Sequence, residues 1–136
     1  MKIDLSDGSI VFAGGTIGSS TQRTEFLRSA IGNGAREQIA NEREDWRQVA
    51  LDPEPEVAAT LIFQGETLHQ VYLALRMASD DTGPWTIATE RERNAKHDAW
   101  LRTALGAPPY EYSWGSICSE LDPKDPASEI IVSYAI

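Results

Sequence analysis

The stretch Val57-Ala58-Ala59-Thr60-Leu61-Ile62-Phe63-Gln64, continued by Gly65-Glu66 and then by Thr67-Leu68-His69-Gln70-Val71-Tyr72-Leu73-Ala74-Leu75, decides the fold. Val57, Ala59, Leu61 and Phe63 recur at every second position, Gln64-Gly65-Glu66 is turn chemistry, and His69, Val71, Leu73, Leu75 and Met77 alternate back. A period of two over this length means two half-buried strands joined as a hairpin. So much apolar surface in one hairpin places it at the centre of a sheet.

On the C-terminal side, Asp80-Asp81-Thr82-Gly83-Pro84 is a turn, and Thr86 to Leu105 is a helix free of Gly and Pro. Its apolar positions are His97, Trp100, Leu101, Ala104 and Leu105, so only its later turns need to pack. Gly106 and Pro108-Pro109 end it. Tyr110, Tyr112 and Trp114 then alternate, Gly115 breaks phase as a bulge would, and Ile117, Cys118 and Leu121 resume before the turn Asp122-Pro123-Lys124-Asp125-Pro126. Ile130, Val132 and Tyr134 form a last strand.

On the N-terminal side, residues 44 to 51 read as a strand within a charged segment. Ser19 with Gln22 suggests a capping box for a short helix carrying Phe26, Leu27, Ala30 and Ile31, closed by Gly32-Asn33-Gly34. Ile3 and Leu5, then Asp7-Gly8, then Ile10-Val11-Phe12 make a first hairpin, with Gly14-Gly15 ending its second strand. The expected order is ββ-α-βββ-α-ββ: an α+β fold with a mainly antiparallel sheet of about six or seven strands and helices on one face. A single domain over 1–136 is expected from the length.

Composition bounds the function. Asp and Glu number 21 against 12 Lys and Arg, a formal charge of -9, which opposes approach to nucleic-acid phosphates and anionic lipid and reads either as a plain acidic surface or as one that favours a basic partner. A lone cysteine, Cys118, forms no internal disulfide, and with two histidines cannot complete a zinc cage, so no metal or cofactor is expected. No apolar run approaches the roughly 20 residues that span a bilayer. The expected compartment is the cytoplasm, and the expected state a monomer or weak homodimer.

Each chemically suggestive feature has a plainer reading. Gly14-Gly15-Thr16-Ile17-Gly18-Ser19-Ser20 lacks the Lys of a phosphate loop and the dinucleotide spacing, so it reads as a strand-to-helix connection. His69 and His97 lie on apolar faces with no neighbouring nucleophile and read as packed histidines rather than general bases. Cys118, between Ile117 and Ser119, reads as a small buried hydrophobe. The acid pairs Asp80/Asp81, Glu90/Glu92 and Asp122/Asp125 lack a calcium-loop pattern and read as solvated turns and helix surface. No catalytic residue is therefore assigned.

Trp, Tyr and Arg anchor protein interfaces, and four tryptophans occur here. Trp100 and Trp114 fit the core. Trp85, beside Asp80, Asp81, Glu90 and Glu92, reads either as an apolar anchor with an acidic rim or as a Trp tucked under its own helix start; on the first reading these five residues are the expected partner contacts.

In the C-terminal third, Trp100-Leu101 through Leu105-Gly106, Tyr112-Ser113-Trp114-Gly115, Ile117 and Asp122-Pro123-Lys124 resemble a pattern in small bacterial proteins. Some of these are similar to cognate immunity proteins encoded beside secreted antibacterial toxins. The resemblance implies a protein that binds and neutralises a basic toxin domain. Two other readings stand beside it: a ligand-binding or enzymatic domain whose site gathers scattered residues, and an adaptor subunit of a larger complex.

Overall fold

The computed structural model describes residues 1–122, 124 and 126–135. Three short strands come first, β1 (Lys2–Ile3), β2 (Ile10–Phe12) and β3 (Gly15–Ile17), followed by helix α1 (Arg23–Arg28). Strands β4 (Arg36–Asn41), β5 (Trp46–Glu54), β6 (Val57–Gln64) and β7 (Thr67–Leu75) follow, then a 3-10 turn over Ala78–Asp81 and helix α2 (Ile87–Leu105). Strands β8 (Tyr110–Tyr112), β9 (Gly115–Leu121) and β10 (Ser128–Tyr134) complete the chain. The fold is α+β, with β1-β2-β3 in a small sheet and β4-β5-β6-β7-β10-β9-β8 in a large one whose paired strands are all antiparallel.

The β6–β7 hairpin sits mid-sheet, as its alternation requires. Register then carries one line of side chains across it: Val49, Leu61, Val71, Val132, Ile117 and Tyr110 are successive cross-strand neighbours, and all are buried. Each aliphatic side chain so buried contributes roughly 1.5 to 3 kcal/mol. This inward face meets Phe26 of α1, Leu101 of α2, and Ile3, Ile10, Phe12 and Ile17 of the small sheet in one apolar cluster. Trp114 ties the small sheet down by donating from Nε1 to the Leu5 carbonyl at 2.8 Å, and the Tyr134 hydroxyl donates to the Gly8 carbonyl at 2.8 Å.

Several expectations are corrected. Gly15 opens a third strand, Gly15–Ile17, so the segment expected to be a plain strand-to-helix connection is strand and turn. Gln22 caps α1 without a side-chain bond, and no Ser19–Gln22 box forms. The strand expected at 44 to 51 runs from Trp46 to Glu54, and β4 precedes it unanticipated. Between Ile62 and Phe63 the register shifts, so Leu68 rather than His69 lies opposite Phe63 and is fully buried. An extra residue in β7 slips the alternation by one there.

Gly115 is not at a bulge, since β9 and β10 pair without interruption from Ser128↔Leu121 to Tyr134↔Gly115. Phase is lost because Ser113 and Trp114 form a turn between β8 and β9. Gly115 has φ of 150°, and a Cβ there would lie 1.9 Å from the Ser133 carbonyl oxygen, so glycine is demanded by close approach. In the turn expected at 122–126, the Asp122 carboxylate accepts from the Lys124 backbone at 2.8 Å; Pro123 and Asp125, and with it the Asp122/Asp125 pair, lie outside the described residues. Among the described residues no helix is long and apolar enough to cross a membrane.

Candidate interaction site at the start of the long helix

Asp80, Asp81, Trp85, Glu90 and Glu92 fall on the 3-10 turn, the Gly83-Pro84 segment and the first turns of α2. Thr86 caps the helix, its hydroxyl accepting from the Thr89 backbone N–H at 3.2 Å. Glu90 then stands in the first turn, where a carboxylate suits the helix dipole.

The structure divides these residues into two groups. Asp80 and Glu90 are held from behind by Arg93, a residue the sequence reading did not single out. Its guanidinium donates to Asp80 Oδ2 at 3.0 Å, to Glu90 Oε1 at 3.2 Å and to the Leu75 carbonyl. Glu90 is only 5% exposed and also accepts from the Ser128 backbone N–H and from Trp85 Nε1, each at 3.0 Å. Burial is the largest single influence on Glu90 and opposes its ionisation, yet Arg93, Ser128 and Trp85 together hold its carboxyl below the usual range. Hydrogen bonds from Arg93 likewise hold Asp80 low. The early turns of α2 are therefore packed, contrary to the expectation that only the later ones are.

Asp81 and Glu92 face solvent, and Trp85 is 58% exposed with Ile87 close behind at 44%. An apolar shoulder with exposed carboxylates results. The Glu90–Arg93 spacing of i,i+3 was readable in the sequence as a helix-surface pair. Its burial was not, because Leu75, Asp80 and Ser128 reach Arg93 and Glu90 only in the folded chain.

The other sequence candidates are not brought together. His97 is fully buried; its Nε2 accepts from the Leu75 backbone N–H at 3.0 Å, and its Nδ1 meets the Ser128 hydroxyl at 3.1 Å. Since Nε2 is an acceptor, the neutral ring carries its proton on Nδ1 and donates to Ser128. Burial, then the charge on Arg93, pushes its pKa down to about 4. Such a ring cannot take a proton from Ser128, so the pair is structural. His69 packs edge-on against Trp46, with centroids 4.8 Å apart, on the outward side of the sheet.

Cys118 is exposed, which corrects its expected burial: Ile117 takes the inward position and its strand neighbour must face out. Partial burial of its sulfur, then Glu120, hold the thiol above its ordinary value. A cleft of about 420 Å³ beside the last turns of α2 is lined by Asp98, Arg102 and Tyr110 among others, and by neither histidine. Among the described residues no three His, Cys, Asp or Glu side chains gather as a metal cage.

Comparison with known proteins adds one finding. A chain of the solved complex "Rhs1-CT in complex with cognate immunity protein RhsI1" superposes with a TM-score of 0.59 at 17% identity, over 98% of this chain and 86% of that one. The likeness is one of fold. No family model matches the chain, and no curated protein matches it.

Proposed function

We propose that this chain is a non-enzymatic, protein-binding immunity protein that binds and neutralises a cognate bacterial toxin in the cytoplasm. What supports the reading is a fold shared over nearly its whole length with a chain of a toxin–immunity complex. The surplus of acidic residues favours a toxin with a basic surface, by steering and by complementarity. Contact is proposed at the start of α2, where Trp85 is the apolar anchor and Asp81 and Glu92 the exposed acidic rim. Asp80 and Glu90, tied to Arg93, hold that rim in shape.

The fixed tautomer of His97, and a cleft beside the last turns of α2 that neither histidine lines, favour this over an enzymatic reading. The test is co-expression with the protein encoded by the gene adjacent to this chain's, which is also expressed alone to establish whether it is toxic. Restored growth and a 1:1 complex on gel filtration are expected; continued killing with no complex would sink the reading.

A further inference from the structure

Antiparallel sheets with one solvated face alternate apolar inward and polar outward. This sheet departs from that pattern. Both helices and the small sheet pack on its inward side, yet the outward positions include Trp46, Ala50, Ala58, Ile62, Tyr72, Ala74 and Ile131, all half-buried. Outward positions on β6, β7, β9 and β10 carry no Lys or Arg, while Glu120 and Glu129 stand directly opposite each other across β9 and β10. Like charges in that relation are destabilising. Tyr72 lies close enough to both carboxylates for them to add to burial in raising its phenol.

A depression of about 340 Å³ lined by Ala58, Ala74, Asp80, Glu90, Arg93 and Glu129, among others, runs from this face to the Glu90 carboxylate, which accepts from Trp85 Nε1. Arg76, which also lines it, is ion-paired to Asp52. From strand spacing, the face over β5, β6, β7, β10 and β9 covers roughly 500 Å² in plan. A standard interface takes about 800 Å² per partner, so face and shoulder together approach one.

We propose that the toxin docks on the outward face of the large sheet, setting a basic patch over Glu120 and Glu129 and an apolar contact over Ile62, Tyr72 and Ile131. This rests on the immunity reading and names its principal surface. Charge complementarity selects the occupant: a second copy of this chain would bring the same carboxylates against themselves, and nucleic acid has the wrong sign.

Two measurements on the complex that co-expression with the adjacent gene's protein yields test it. The variant Glu120→Gln/Glu129→Gln removes both charges while keeping side-chain shape, and its unfolding midpoint, measured alongside, reports that the fold survives the change. Its affinity is expected to fall by about 10-fold or more, with a weaker salt dependence. In the unaltered protein, alkylation of Cys118 by N-ethylmaleimide is expected to slow about 10-fold or more on binding, because this exposed thiol lies on the same face. Unchanged affinity of the variant, or an unslowed thiol, in a complex that does form overturns the proposal and leaves the immunity reading standing. No complex with the unaltered chain removes both.

Discussion

The imidazole of His97 takes the backbone N–H of Leu75 onto Nε2 at 3.0 Å, tying the middle of α2 to the last residue of β7. The bond exists only while the ring is neutral. His97 is held at a pKa of about 4 in the fold against an ordinary 6.5, so between these values the unfolded chain binds a proton that the folded chain refuses. Stability is fully present above pH 6.5 and declines as pH falls toward 4. The loss approaches roughly 2 to 3 kcal/mol by linkage. Urea unfolding at stepped pH should show that slope, and His97→Gln should flatten it; a ring titrating near 6.5 by NMR in the folded protein would refute it.

Arg93 neutralises two carboxylates, one of them almost wholly buried. Arg93→Met leaves Glu90 charged in a site it cannot escape, at a cost of about 3 to 5 kcal/mol. Adding Glu90→Gln removes the stranded charge and should recover part of that loss. Denaturant unfolding of the single and double variants measures both, and a double variant no more stable than Arg93→Met argues that Glu90 is not the cause.

Gly115 and Gly14 offer a paired test of backbone constraint. Gly115→Ala drives a Cβ into the Ser133 carbonyl at a positive φ, which forces β9 and β10 apart and should cost about 3 kcal/mol or more. Gly14→Ala meets nothing within 4 Å and should change stability by less than about 0.5 kcal/mol. Thermal unfolding distinguishes them; equal effects would mean the close approach at Gly115 is wrong.

Trp85 gives up little on truncation in the free protein, since it is largely exposed and contributes one hydrogen bond, to Glu90. Trp85→Ala should lower stability by about 1 kcal/mol or less. If Trp85 is an interface anchor, the same change weakens toxin binding by about 2 kcal/mol. Calorimetric titration with the toxic domain measures the second quantity; wild-type affinity in the variant removes Trp85 from the interface.

The strands of the central hairpin and the limits of α2 were legible in the chain alone, because a period of two, a capping Thr86 and the Gly106 stop are written in neighbouring residues. The α+β class followed from the same local signals. Strand β4 was not legible: every side chain from Arg36 to Asn41 is exposed, and the strand is held by its backbone pairing with β5, which leaves no burial pattern to read. Composition likewise announced an acidic surface and could not say where it lies.

Which face each residue takes was decided by tertiary structure. A single extra residue in β7 turned His69 outward and Leu68 inward, and the pairing of β9 with β10 set Glu120 against Glu129 and brought Cys118 to the surface. Arg93 became a hub through Asp80 and Leu75, 13 and 18 residues away, and His97 was fixed through Leu75 and Ser128, 22 and 31 away. Periodicity reports which residues want burial. Hydrogen bonds between distant segments, formed only when strands meet in one register, determine which polar groups are locked and which remain to meet a partner.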